Sequence, residues 1–264
     1  MVKKKIKILT YNIMNGFHTE KEPYKLQKKR LEASKRIVKK ENPDILCLCE
    51  ANFAGPNPFN IKMDYQKIFG YRYVYFASRK RQFGNMILSN YPMDKVYSFS
   101  DERFICLRAK FIIKGEDLYL DIVHPSPRLK SKDAIRYMAS VLNDKKDNYI
   151  LTGDFNALSD EDKYDIKKIK RLMKRIDPEK TLKSLLDRRL LSWLGKQKLI
   201  DVMKKFEGGF TMPTDLIDKK KESPLRIDYF FASKKIKIKD AKVIRGKDTE
   251  MASDHYPIAM EIEI

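Results

Sequence analysis

An apolar run, Tyr149-Ile150-Leu151-Thr152, stops abruptly at Gly153-Asp154-Phe155-Asn156. A buried strand ending this way sets a carboxylate and a carboxamide on one side, two residues apart, at one edge of a sheet. Such a pair suits hydrolysis of a phosphate ester, with Asp154 taking a proton from water and Asn156 holding a phosphate oxygen. An Asp after a Gly is also a common turn or helix cap, so the pair gains weight only in company.

That company exists. Ile6 to Tyr11 runs into Asn12, Asp44 to Cys49 into Glu50, and Leu118 to Val123 into His124. The apolar stretch Arg226 to Phe231 carries Asp228, and Asp254-His255 stands just before the run that begins at Pro257. Plainer readings exist for each: Asn12 as a turn residue, Glu50 as a solvated strand terminus, His124 as a satisfied loop histidine, Asp254-His255 as a helix cap. Asp228 is harder to dismiss, because a lone carboxylate in an apolar strand is costly to bury and asks for a partner. Jointly the plainer readings are poor, since six segments bring oxygen and imidazole groups to strand ends. Two of the three histidines lie in these segments; the third, His18, follows Asn15-Gly16 in a loop.

The elements that must position these groups are mostly strands. Lys5 to Ile13, Ile45 to Cys49, Gly70 to Ala77, Gly84 to Ser89, Asp94 to Ser100, Phe104 to Ile113, Leu118 to Val123 and Tyr149 to Thr152 read as strands, as do Arg226 to Ala232, Lys239 to Ile244 and Pro257 to Ile264. Lys25 to Lys40 reads as an amphipathic helix, with Leu31, Ile37 and Val38 on one face and basic residues elsewhere, ended by Asn42-Pro43-Asp44. Ser131 to Lys145 reads as a helix capped by Ser131. Asp160 to Lys205 reads as two or three basic helices broken at Pro178, with Trp193 as the anchor to the core. Many strands with helices between them point to an α/β sandwich, two sheets face to face with helices outside.

Composition bounds the rest. The 264 residues suffice for one large domain or two small ones, and 42% hydrophobic content is ordinary for a chain that buries a core. No apolar run approaches a bilayer span, and the basic N-terminus leads into an alternating segment and not a signal peptide. A cytoplasmic location is the expectation. Cys47, Cys49 and Cys106 lack a second cluster at zinc spacing and read as buried structural thiols. The formal net charge of +20 favours a polyanionic partner, nucleic acid ahead of an anionic membrane surface. Lysine-rich composition of the kind found in thermophiles is the bland alternative.

The ordered set TYNIMNG, LCE, GNMILS, VHPSP, GDFNA, RIDYFFAS and SDHYPI resembles the endonuclease/exonuclease/phosphatase superfamily, the family of deoxyribonuclease I and exonuclease III. The likeness runs from Thr10 to the C-terminus. It implies one domain over residues 1–264, a four-layered α/β/β/α sandwich of two packed mixed sheets with outer helices, and a divalent metal, Mg2+ or Mn2+. It implies Glu50 as the main metal ligand with Asn12 beside it, and Asp254 completing an oxygen-rich site of the kind hard cations prefer. It also implies that Asp154 orients or deprotonates the attacking water, that Asn156 contacts the scissile phosphate, and that His255, oriented by Asp228, hydrogen-bonds a phosphate oxygen. The chemistry agrees. A metal neutralises phosphate oxygens and stabilises charge on the leaving oxygen, and a carboxylate beside an imidazole fixes its tautomer.

Within the superfamily, His124 is similar to the histidine of deoxyribonuclease I-like and several phosphatase-like members, where it protonates the leaving oxygen. The glutamate that partners it there is not identifiable here. Asn85 in GNMILS matches a pattern shared by many branches, tyrosyl-DNA phosphodiesterases and deadenylases among them, and Thr211-Met212-Pro213-Thr214 resembles a set of prokaryotic members. Substrate binding is expected at Asn85, Arg79 and Arg81. The runs Lys167-Lys168-Ile169-Lys170-Arg171 and Lys219-Lys220-Lys221 would suit a groove tracking a nucleic-acid backbone, or else form a solvated face. The expected function is a metal-dependent phosphodiesterase, a nuclease or DNA-end-processing enzyme (endonuclease or exonuclease) acting as a monomer on nucleic acid, DNA first. The competing expectation is a phosphatase or phosphodiesterase for a phospholipid head group or another small phosphoester.

Overall fold

The alternation that begins at Lys5 resolves as a strand, β1 (Lys5–Asn12), whose side chains serve two packed layers at once. The computed structural model describes residues 4–17, 22–52, 64–78, 83–101, 103–176, 181–206 and 209–264. Arg79, Arg81, His18 and Pro178 lie outside them. Among the described residues the strands continue as β2 (Ile45–Ala51), β3 (Tyr73–Ser78), β4 (Gly84–Ser89), β5 (Met93–Asp101), β6 (Phe104–Ile113), β7 (Glu116–Val123), β8 (Tyr149–Asp154), β9 (Leu199–Asp201), β10 (Asp228–Ser233), β11 (Lys237–Val243) and β12 (Ile258–Glu263). The helices are α1 (Tyr24–Glu41), α2 (Tyr65–Phe69), α3 (Ser131–Asn143), α4 (Ile166–Ile176), α5 (Thr181–Leu185), α6 (Arg189–Gly195), α7 (Val202–Lys205) and α8 (Thr249–Ala252). None of the described helices is long and apolar enough to cross a membrane.

Two six-stranded sheets form, in the orders β11-β12-β1-β2-β4-β3 and β5-β6-β7-β8-β10-β9. Each holds one parallel pair, β1 with β2 and β7 with β8, and its other pairings are antiparallel. Parallel neighbours need a crossover, and α1 and α3 supply the two. The sheets meet through Ile8, Cys47, Cys49, Ile87, Leu107, Leu120, Ile150, Phe230 and Met260, all buried. Residues of the opposite parity, Leu9, Leu46 and Leu48, pack outward on Ala33, Ile37 and Val38 of α1. Tyr149, Leu151, Tyr229 and Phe231 do the same on the other side, against Met138 and Val141 of α3 and Leu190 and Leu194 of α6. The layers are therefore helix, sheet, sheet, helix. Strands buried on both faces explain why β2, β8 and β10 carry unbroken apolar stretches beside their polar ends.

Four local readings change. The segment 160–205, read as two or three helices, holds four among its described residues, α4 to α7, and the short strand β9. The third strand starts at Tyr73, because α2 precedes it and ends on Gly70 at φ 77°. Ser131 is the first helical residue of α3 and not its cap; its hydroxyl donates to the Asp187 carbonyl at 2.8 Å instead. The buried face of α1 is wider than its apolar residues, since Gln27 and Arg30 are inside.

Candidate active site

Both parallel pairs point their C-terminal ends to the same edge of the sandwich. There β1 delivers Asn12 and β2 Glu50, while β7 leads to His124 and β8 ends on Asp154. The sheets are tied immediately behind this edge by the hydroxyls of Thr10 and Thr152, 2.7 Å apart. Gly153 makes the second sheet's contribution possible. Its φ is 136°, and a Cβ there would stand 1.9 Å from the Val123 carbonyl oxygen, so no other residue fits without parting β7 from β8.

Glu50 reaches the edge through a bulge. The register of β2 on β4 slips between Leu48 and Ala51, and Glu50 takes φ 59°, uncommon for a residue with a Cβ. Its Oε2 accepts the Asn15 N–H at 2.8 Å and its Oε1 the Asn12 amide at 3.0 Å. Burial would raise its pKa, but His124, the Asn12 amide, the Asn15 N–H and His255 together hold it below the ordinary carboxylate value.

Asn12 clamps the two sheets. Its Nδ2 donates to Glu50 Oε1 and to Asp154 Oδ2, both at 3.0 Å, while its Oδ1 accepts the Met14 N–H. In this arrangement its carboxamide nitrogen, and not its oxygen, faces the carboxylates. Asp154 is almost fully buried. Its Oδ1 takes the Asn156 N–H at 2.9 Å, and its carboxyl is pushed up to about 7 by burial, with Asp228 adding to the effect and His255, the Asn156 N–H and Asn12 opposing it. Asn156 lies beyond the strand, at φ 48°, and its side chain donates to the Pro125 carbonyl at 3.0 Å.

Asp228 stands directly across from Asp154 in the β8–β10 register. Opposed like charges destabilise a sheet, and His255 relieves this pair. Its Nδ1 is 2.8 Å from Asp228 Oδ2, and its Nε2 is 3.8 Å from Asp154 Oδ2. Burial pulls the imidazole's pKa down, yet Asp228, Asp254 and Asp154 outweigh it and hold it well above 6.5. His124 Nε2 lies 3.7 Å from Asp154 Oδ2 and 3.9 Å from Glu50 Oε1, so these carboxylates are its neighbours without being hydrogen-bond partners. Asp254 lines the same cleft, takes the Ser253 hydroxyl at 3.1 Å, and has a raised pKa, with burial the largest cause and Glu50 adding to it.

The cleft has a volume of about 470 Å³. Glu50, His124, Asp154, Asn156, Asp254 and His255 form its polar wall. Met173, Leu185, Met212, Leu225 and Ile227 supply its apolar lining. A divalent cation fits the donor chemistry. Glu50, His124 and Asp154 each offer one ligand atom within 4.8 Å of the others. Four carboxylates (Glu50, Asp154, Asp228, Asp254) also gather around two imidazoles, a surplus of buried negative charge that is costly without a counter-ion.

Asn85 belongs elsewhere. It is fully buried in β4, and its amide donates to the carbonyls of Ile122 at 2.9 Å and Ile105 at 3.3 Å in the other sheet. It ties sheet to sheet and offers no surface to a substrate.

Several residues that hold the site escape a reading by type. Arg30 is fully buried and donates to the carbonyls of Ala252, Ile13 and Met14 and to Glu22, so it pins both loops that flank Asn12 and Asp254. Its seven-residue spacing to Ile37 puts it on the core face, which was the available signal. Thr211 accepts the N–H groups of Ile227 and Asp228 on its hydroxyl, and Thr214 donates to the Ser253 carbonyl at 2.5 Å. Ser253 in turn donates to the Asn12 carbonyl at 2.7 Å.

Comparison with known proteins agrees with this architecture. An endonuclease/exonuclease/phosphatase from Beutenbergia cavernae shares 18% identity and a TM-score of 0.71, over 98% of this chain and 72% of the other. An AP endonuclease from Archaeoglobus fulgidus shares 20% identity and a TM-score of 0.66, over 97% and 98%. TDP2 from D. rerio, complexed with a single-strand DNA product, shares 17% identity and a TM-score of 0.64, over 98% of each chain. No curated protein matches in sequence. At these identities the structural likenesses speak for the fold. The model of the Endonuclease/Exonuclease/phosphatase family matches residues 9–255, and the chain belongs to that family.

Proposed function

We propose that this chain is a metal-dependent phosphodiesterase that hydrolyses nucleic acid, DNA first, at the cleft on the edge where strands of both sheets end. Members of its family are hydrolases of phosphoester bonds and depend on a divalent metal. The observation that carries the reading is the convergence of Asn12, Glu50, His124, Asp154, Asn156, Asp254 and the Asp228–His255 pair on one cleft. The likeness to an AP endonuclease and to a TDP2 holding a DNA product supports the choice of substrate.

Glu50 and Asp254 would hold Mg2+ or Mn2+, with Asp154 close by, since carboxylate and water ligands suit both ions. Such an ion lowers the charge on the phosphate and stabilises the leaving oxygen. Asp154 takes the proton of the attacking water, its carboxyl held in place by the Asn12 amide and the Asn156 N–H. His255 is held by Asp228 through Nδ1, which leaves Nε2–H to donate to a phosphate oxygen. Asn156 steadies the scissile phosphate, and His124 returns a proton to the leaving oxygen. Asn12 keeps Glu50 and Asp154 in register across the sheets.

The apolar lining also favours a second reading, a small phosphoester with a hydrophobic group next to the phosphate. One panel separates the two. Plasmid DNA, an abasic oligonucleotide, a 5′-tyrosyl oligonucleotide and phosphoinositides are incubated with Mg2+ or Mn2+, with and without EDTA. EDTA-sensitive cleavage of a nucleic-acid substrate is expected. Turnover of phosphoinositide alone would overturn the nucleic-acid reading.

A further inference from the structure

Two basic runs far apart in the sequence meet in space. Lys168 and Arg171 come from α4, Lys219 and Lys220 from the loop that returns toward β10, and all four line one pocket of about 410 Å³. Asp218 and Glu222 are the carboxylates there, so four cations face two acids. None of the four cations forms an ion pair among the described residues. Lys221, next in sequence, differs: it is tied to Asp215 at 3.1 Å and Glu250 at 2.7 Å, which fixes the loop. Arg171, Lys219 and Lys220 are exposed and Lys168 is half-buried, so water screens their mutual repulsion and all four remain free to meet a phosphate anion.

The pocket adjoins the catalytic cleft. Ile217 lines both, and the consecutive α4 residues Leu172 and Met173 line one each. Apolar side chains of Ile217, Leu172 and Met173 therefore lie where the carboxylate-lined cleft adjoins the cationic pocket. A ligand spanning the two needs phosphates joined by a less polar moiety. A nucleic-acid strand has that repeat in its sugars and bases, whereas a phosphoinositide head group joins its phosphates through a polyhydroxylated ring. A solvated face accounts for each run taken singly; it does not account for the two runs converging on one pocket.

We propose that Lys168, Arg171, Lys219 and Lys220 form a second phosphate subsite, which holds a flanking phosphate of the same strand whose scissile phosphate lies in the cleft. The inference rests on the nucleic-acid reading above and adds to it a site and a direction of travel for the strand.

The test compares the parent with K168S/R171S, K219S/K220S and the fourfold variant, each checked for folding by circular dichroism. Binding of a fluorescent single-stranded 20-mer is measured by anisotropy without metal across a salt series, and hydrolysis is measured on the same strand and on bis(p-nitrophenyl) phosphate. The fourfold variant should bind the strand at least about tenfold more weakly, and the slope of log K against log salt should shrink by roughly 0.7 for each phosphate that the protein no longer neutralises. KM for the strand should rise while kcat, and turnover of bis(p-nitrophenyl) phosphate, stay as in the parent. Cleavage of the strand by the parent with unchanged affinity and salt slope in the fourfold variant overturns the subsite and leaves the nuclease reading standing. A parent that hydrolyses bis(p-nitrophenyl) phosphate but neither binds nor cuts the strand overturns the nuclease reading itself. Parent binding to phosphoinositide vesicles in place of the strand, abolished in the same variants, overturns the proposal in favour of a lipid head group.

Discussion

Asp154 and Asp228 face each other across two strands, and His255 is the group that makes this tolerable. The imidazole cation is favoured because three carboxylates surround it, against the pull of burial. A pKa raised by folding means that protonated His255 stabilises the native state fully below the ordinary value of 6.5 and that the contribution is lost as pH rises through the folded value. In Asp228→Asn the principal raising charge is gone, so the imidazole of the metal-free protein should titrate at lower pH than in the parent. Imidazole NMR signals followed against pH provide the check, and an unmoved His255 titration would contradict the pairing. Most of these residues were legible in the sequence, because each is a reactive type at the end of an apolar run. Orientation was not. Which amide atom of Asn12 faces Glu50, and whether Asn85 looks into the cleft or across to Ile105 and Ile122, depends on neighbours brought from the other sheet.

At the scale of elements, the site depends on places where regular structure gives way. The bulge at Glu50 and the Gly153 approach to Val123 are departures from ideal strands, and both lie on or within one residue of a side chain proposed to bind metal or act as base. Backbone strain of this kind persists only where surrounding contacts impose it. Arg30 of α1 braces the neighbouring positive-φ residue Met14, since its guanidinium donates to the carbonyls of Ile13, Met14 and Ala252 and to Glu22. Arg30→Met keeps the bulk and removes every donor, leaving buried acceptors without partners. Urea denaturation should show destabilisation of about 3–5 kcal/mol; a change below ~1 kcal/mol would mean that Arg30 does not hold these loops. Strand positions were readable from apolar runs and turn residues, and β4 and β6 have the expected bounds. Arg30 was not, because a helix rich in lysine and arginine hides one buried cation among many exposed ones.

The whole molecule is two similar halves facing each other. Each sheet carries one parallel pair with a helical crossover, and the two pairs send their C-terminal ends to one edge. No sequence repeat announces this arrangement, since the halves share a pattern of burial and connection and not a pattern of residues. The sandwich itself was legible, as many strands with intervening helices allow few alternatives. The net charge of +20 was also legible, but its distribution was not. Some of it is tied up in ion pairs such as Lys7–Glu41, Lys242–Glu41 and Arg226–Asp162, and some converges beside the cleft from segments some fifty residues apart. The central claim is that one cleft does the chemistry with a metal and a buried carboxylate. The most direct measurement is cleavage of a labelled DNA strand by the parent, Asp154→Ala and His255→Ala in Mg2+ or Mn2+, with folding of each verified by circular dichroism. The parent should cut, EDTA should stop it, and each variant should be slower by roughly 10²–10⁴-fold or more. Cutting by folded Asp154→Ala at the parental rate would contradict that claim.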